Sequence, residues 1–387
     1  MRRIELRGLT VIVVTCAAAC AMPEATPHQA LARSDSGGIE LVSSAGGEVV
    51  SRFPAAADSF LMELDGTPRI FSGSSRQWVR VSPHGDVFVI ASDLRAILRF
   101  DAAGHPVSQI GKRGNGPGEM MLPLTLMLRG DTVAVVDATK RALLRWSSYG
   151  DSLLGQLSWP ENQKLGTVLA LAGENVLSVG EMSERRQAWG TVGWTGRPHP
   201  LIAFAMPPIV LINLPCDSRP TERAAILAPR LHISTLEETV VVAGTERYEL
   251  WVSDGNRLVR SIRRGIESRA PTKSEVSDAA GRGYRLTMNG RKCSMSAAEL
   301  IERVGVASVF PAIHGLSVTA DGSIWVLRTL SRETAGTVDQ FSLDGTYLRT
   351  WNNASLPLGS LHDGRLLVPR EDEESGGTLI ELVRLRP

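Results

Sequence analysis

The sequence predicts an all-β fold: a six-bladed β-propeller of four-stranded antiparallel blades, closed by an N-terminal strand, with short helical insertions between blades 4 and 5. Three observations predict it. One strand-and-turn grammar occurs six times along the chain. Most copies are spaced by the length of one four-stranded blade. With 37 glycines, 21 prolines and only 5% aromatic residues in 387, the composition favours many turns over long helices.

Two adjacent copies show the grammar best. The first reads GDVFVIAS at 85–92, AILRFD at 96–101, a turn at Gly104 and PVSQIG at 106–111. The second reads GDTVAVVD at 130–137, ALLRW at 142–146, a turn at Gly150 and DSLLGQL at 151–157. Each is a Gly/Asp turn, a strongly apolar strand, a short polar link, an alternating strand, a Gly-ended turn and a weaker outer strand, the order of an antiparallel blade. It recurs at GENVLSV (173–179), at ETVVVA with ELWVS (238–253), at GSIWVL with DQFSL (322–343) and at GRLLVP with LIELV (364–383).

Taking Val87, Thr132, Glu174, Thr239, Ser323 and Arg365 as equivalent starts, the spacings are 45, 42, 65, 84 and 42 residues. The two long intervals imply insertions, with Cys216 in the first and Cys293 in the second. Helices are expected in the second: Thr272–Glu275 and Ser296–Glu299 both match the capping-box pattern, the latter helix running to about Val304 and both placed on the rim. The last copy ends after its third strand. The strands beginning at Gly38 and Glu48 are available to supply the fourth, closing the ring and removing an exposed edge.

Arg2, Arg3 and Arg7 precede an apolar run from Leu9 to Ala19, the pattern of a bacterial-type export signal. The run is about half of the roughly 20 residues that cross a bilayer. The expected organisation is a signal peptide over 1–19, a flexible tether over 20–37 and the propeller over 38–387. Ala17-Ala18-Ala19-Cys20 resembles a lipobox, which implies lipidation at Cys20, although Ala17 stands where Leu is usual. Cleavage near Ala21 without lipid and an uncleaved anchor are the competing readings. The expected location is the periplasm or the outer membrane as a lipoprotein, with a secreted form as the alternative. Membrane contact is expected only through the lipid.

After removal of residues 1–19 the net charge is near −1, with no basic run, so there is no electrostatic footprint for nucleic acid. Cys216 and Cys293 form a lone pair in a chain bound for an oxidising compartment, readable either as a disulfide or as two separate thiols. No CxxC or metal-type spacing supports a zinc site.

The segment GKRGNGPGE at 111–119 resembles the G-x-x-G-x-G-P-G-E-F signature of bacterial secreted six-bladed propellers related to NHL repeats, of TolB-like architecture, carried by Gly111, Gly114, Gly116, Pro117, Gly118 and Glu119. The strand ending Val135-Val136-Asp137 and the link through Lys140 and Arg141 extend the likeness. Met120 replaces the usual Phe, and the third copy lacks the Asp and Arg. The resemblance implies a secreted propeller whose relatives mostly bind proteins or other ligands and occasionally act as lyases or hydrolases.

The glycine-rich loop is neither GxGxxG nor GxxxxGK[ST], so it reads as a tight connection needing φ > 0 at several glycines rather than a phosphate cradle. Asp137 and Arg141 read as a structural ion pair or turn contact, with ligand binding at the channel mouth as the alternative. The seven histidines are scattered singly; His84, His232, His314 and His362 lie near strand ends, where different blades could bring them to the axis. Glu371 to Glu374 reads as a solvated hairpin loop. No catalytic, cofactor or metal residue is nominated and the cofactor is unknown. The leading function is a non-enzymatic, monomeric module that binds an unknown protein or small ligand at the propeller face and the insertions, at the cell envelope. The alternative is a metal-dependent hydrolase or lyase with its site in the central channel.

Overall fold

A computed structural model describes residues 30–385, apart from segments of which the longest are 69–77, 159–166, 193–198, 214–219, 329–335 and 372–377. The export segment, Cys20, Cys216 and most of the acidic run therefore lie outside the described residues. The fold is an all-β propeller with two short helices.

Sheet I pairs Val79–Val81, Val87–Ala91, Ala96–Phe100 and Pro106–Ile110 in sequence order. Sheet II pairs Pro123–Arg129, Thr132–Asp137, Ala142–Ser147 and Leu153–Ser158, and sheet III pairs Thr167–Ala172, Asn175–Ser183, Arg186–Val192 and His199–Ala205. Sheet IV holds Leu231–Leu236, Thr239–Gly244, Glu249–Ser253 and Leu258–Arg264; sheet V holds Gly315–Val318, Ser323–Leu327, Gly336–Ser342 and Tyr347–Ala354. Sheet VI holds Gly359–Ser360, Arg365–Glu371 and Thr378–Arg384. The repeat starts thus open the second strand of their sheets, the third copy at Asn175.

The apolar second strands are explained by packing on both faces. In VFVIA, Val87 and Val89 face Leu367 and Leu382 of sheet VI, while Phe88 and Ile90 join Leu126 and Val133 of sheet II. Alternation sends successive side chains to opposite neighbours, and both neighbours are apolar. The same division places Ile324 and Val326 against sheet IV and Trp325 against sheet VI. The first strands lie innermost, each near the first strand of an adjacent sheet. A Cβ at Gly359 would lie 2.5 Å from Val81 Cγ2, so only glycine permits that approach.

The expectation of six equal four-stranded blades is corrected. Five sheets have four or five strands, the make-up of a blade, and sheet IV has six. The N-terminal segment does not close the last sheet with the strands at Gly38 or Glu48. Instead Ala30–Ser36 and Ile39–Ala45 form a hairpin whose second strand runs parallel to Leu258–Arg264 of sheet IV. Val50–Arg52 runs parallel to Tyr347–Ala354 of sheet V, and Asp58–Phe60 pairs antiparallel with Thr378–Arg384 of sheet VI. Charge sets the first pairing: Glu40 Oε2 accepts from Arg260 Nε at 2.7 Å, and Glu40 Oε1 accepts from Arg33 at 2.6 Å. Part of the stretch expected as a tether, Ala30–Ser36, is therefore a paired strand.

Helix α1 (Lys273–Ala280) and helix α2 (Ala297–Val304) lie between sheets IV and V, as the spacing predicts. Thr272 and Glu275 make a reciprocal capping box, and the Ser296 hydroxyl accepts from Glu299 N.

Candidate functional site

The loop from Gly111 to Glu119 joins sheets I and II and is held by its own carboxylate. Glu119 Oε2 accepts from Gly116 N at 2.7 Å, Lys112 Nζ lies 3.4 Å from Glu119 Oε1, and Lys140 Nζ donates to Gly116 O at 2.7 Å. A Cβ at Gly114, where φ is +154°, would fall 2.0 Å from Glu119 Oε2. Asp137, fully buried, accepts from Met121 N, Leu122 N and Lys140 N. Arg141 sits at the following turn with φ +49° and is half-buried. These residues organise the connection through backbone donors.

The four histidines near strand ends do not gather. Two of them follow a first strand and two stand at the beginning of one. His84 and His362 follow the first strands of sheets I and VI and are exposed; His362 Cδ2 would lie 3.2 Å from a Cβ at Gly85, while the His84 ring lies against Tyr149 at 5.7 Å. His232 and His314 stand at the beginnings of the first strands of sheets IV and V and line one cavity. Among the described residues, no three His, Cys, Asp or Glu side chains come together where they could hold a metal.

That cavity, about 520 Å³, is built by both insertions. The first contributes the hairpin of Ile209–Ile212 with Thr221–Ala224 and the run from Ala225 to Arg230; the second contributes both helices and the hairpin of Tyr284–Met288 with Arg291–Met295. They join through a small core of Ile212, Met295 and Val304 and through a parallel bridge between Ile226 and Val306. Ile226 N donates to Gly305 O and Ala307 N to Ile226 O. The result is a cap over the entry ends of sheets IV and V. Its apolar lining includes Ile226, Leu227, Leu300, Val304 and Ile313, and its polar lining includes Arg230, His232, Thr245 and His314.

His314 is tightly set. Its backbone N donates to Leu327 O at 2.7 Å, and Phe310 lies against its ring at 5.0 Å. Arg269 covers the Phe310 ring at 4.2 Å while pairing with Glu275 of α1. The imidazole bonds the Pro311 backbone, which offers only a carbonyl. Its Nε2 is buried with no protein partner, so Nδ1 carries the proton to Pro311 and Nε2 is an acceptor. Burial lowers the His314 pKa to about 4, with the Arg230 and Arg269 charges acting in the same direction.

The shift makes stability pH-dependent. The unfolded chain protonates this histidine below about 6.5, whereas the folded protein keeps it neutral to about pH 4. His314 therefore destabilises the fold progressively as pH falls from 6.5 to 4 and has no effect on pH dependence above that window. Urea unfolding at stepped pH should show a flatter profile over this range for His314→Leu than for the unsubstituted protein. Parallel profiles would contradict it.

The sequence marks both insertions as the places to seek function, and the disulfide reading of Cys216 and Cys293 is its one signal that they meet. Arg230, Tyr284 and Thr245 carry no motif. The only sequence signal for His314 is its place beside Gly315 at a strand start.

No family model matches the chain, and no curated protein matches it. Among solved structures, a protein described as exported, from Bacteroides fragilis, has 12% identity and a TM-score of 0.49, over 90% of this chain and 100% of that one. A member of the DUF4221 family from Bacteroides vulgatus has 11% identity and a TM-score of 0.48, over 79% and 91%. The calcium-binding protein regucalcin from Agrobacterium tumefaciens has 14% identity and a TM-score of 0.36, over 87% and 97%. At such identities function is argued from the site of this chain and not from these proteins.

Proposed function

We propose that the chain is an exported propeller acting as a non-enzymatic small-ligand-binding module at the cell envelope, with its ligand site in the cavity under the cap. The observation that carries this reading is the joining of two sequence-distant insertions into one wall of a 520 Å³ cavity with apolar sides and a few convergent polar groups, the make-up of a small-molecule site. The arginine-led apolar N-terminus supports export, with Cys20 as the lipidation site. The signature from Gly111 to Glu119 supports kinship with NHL-related propellers. In this reading sheet IV is the sixth blade, its four consecutive strands enlarged by the N-terminal hairpin.

Cys293 is disulfide-bonded. Cys216 is its partner in this proposal: in sequence it lies between the two strands of the hairpin whose Ile212 packs on Met295, two residues from Cys293.

The alternative, a metal-dependent enzyme with its site in the central channel, is not favoured by that channel's lining. Where the first strands of sheets I, IV, V and VI approach one another, the described lining consists of Arg80, Ser234, Thr235, Ser317, Ser360 and mainly aliphatic residues. The Arg80 guanidinium, lowered by burial only to about 10, remains a cation at neutral pH and opposes a second one.

The test is a native mass-spectrometric screen of the purified protein against a diverse small-molecule library, repeated with Ala279→Trp, which fills the cavity from α1. Ligands that bind the unsubstituted protein and are lost in the variant are expected. Failure to find any such ligand would overturn the reading.

A further inference from the structure

We infer that the cavity selects a hydroxylated carboxylic acid with an apolar body, its hydroxyl donating to His314 Nε2 and its carboxylate meeting Arg230 at the mouth. This rests on the proposed function above and names the class of ligand for that site.

His314 Nε2 sets the first requirement. It is buried with no protein partner and belongs to a residue that lines the cavity, while the Pro311 carbonyl fixes the proton on the other ring nitrogen. A buried acceptor left unmet costs stability, and a ligand N–H or O–H donor relieves that cost. A carbonyl, an ether or a carboxylate placed there would set lone pair against lone pair. The site therefore asks for a donor at this depth.

Arg230 sets the second. It is exposed at the cavity lining, and its guanidinium makes no hydrogen bond or ion pair with any described residue; only its backbone N is engaged, by Thr245 Oγ1 at 2.7 Å. Arg230 is close enough to act electrostatically on His314. Arg223, over the Tyr284 ring at 5.2 Å, adds a second positive charge on the same lining. One acidic residue, Glu222, shares that lining and is exposed. A carboxylate is the ligand group that a planar guanidinium at a cavity mouth recognises best. Leu227, Val304 and Ile313 on the same lining require an apolar body beyond these two groups.

The probes are 3-hydroxydecanoate, decanoate and methyl 3-hydroxydecanoate, measured by equilibrium dialysis on the full chain, with thermal unfolding as a check that each variant folds. The hydroxy acid should bind at least about tenfold more tightly than decanoate, the worth of one well-made hydrogen bond to a buried group, and His314→Leu should remove that preference. Arg230→Gln should remove the preference for the acid over its methyl ester while leaving the hydroxyl preference in place. If 3-hydroxydecanoate and decanoate bind equally, and Ala279→Trp abolishes both, the ligand class is wrong and the cavity reading stands. Library ligands sensitive to Ala279→Trp, with none of the three probes bound, would likewise overturn the ligand class and leave the cavity reading in place. If neither probes nor library yield a ligand that Ala279→Trp displaces, both inferences fall together.

Discussion

Replacing Asp339 by alanine should lower the free energy of unfolding by about 3–5 kcal/mol, the usual cost of removing one member of a buried ion pair. Asp339 is fully buried between sheets IV and V. Its Oδ2 lies 2.6 Å from Arg264 Nη1 and accepts from the Tyr248 hydroxyl at 2.8 Å; its Oδ1 accepts from Thr350 Oγ1 at 2.6 Å. Burial alone would lower the Arg264 guanidinium, but Asp339 outweighs it and leaves its pKa raised. Burial and then the Asp339 charge hold the Tyr248 phenol well above its usual range. Arg264 also lies over the Tyr347 ring at 4.0 Å. Without the carboxylate, the buried Arg264 guanidinium loses a charged partner and the buried Tyr248 and Thr350 hydroxyls each lose an acceptor. Urea unfolding of Asp339→Ala checks the value, and a double-mutant cycle with Tyr248→Phe should show strong non-additivity. A loss under about 1 kcal/mol, the range of solvent-exposed pairs, would mean that solvent reaches the cluster.

Breaking the proposed bond between Cys216 and Cys293, by reductant or by Cys293→Ser, should cost about 4–5 kcal/mol in the chain-entropy model for a closed loop of this length. The two residues are 77 apart, and the intervening chain includes all of sheet IV's consecutive strands and helix α1. The bond would tie the two halves of the cap to one another. Its loss should therefore also weaken any ligand that Ala279→Trp displaces. Non-reducing peptide mapping should recover a linked pair of peptides containing Cys216 and Cys293. A reductant-insensitive unfolding midpoint, with two titratable thiols in the native protein, would contradict the pairing.

How far the site was legible differs between its parts. The capping residues Thr272 and Ser296 announce both helices because a cap is a local contact, closed within three residues of sequence. Asp137 attracts notice within its repeat, yet its partners Met121 and Leu122 lie 16 and 15 residues back on the loop from the previous sheet, and no spacing rule points to them. Asp339 looks like one more polar residue in an alternating strand. Its partner Tyr248 is 91 residues away. The histidines were readable as strand-end residues, but that His232 and His314 line one cavity follows only from the fold.

The strand grammar, the starts of its six copies, and the positions of both insertions and their helices are all written in the chain itself. They are encoded in two-residue alternation, turn glycines and caps, which act over a few residues. Where the N-terminal strands pair, which histidines share a cavity and that the insertions form one cap emerge only in three dimensions. Those outcomes rest on contacts such as Glu40 with Arg260 and Ile226 with Val306, between residues far apart in the chain. Whether two such residues meet depends on the closure of the whole ring, which no local pattern encodes. The fold class was therefore legible, and the site was not.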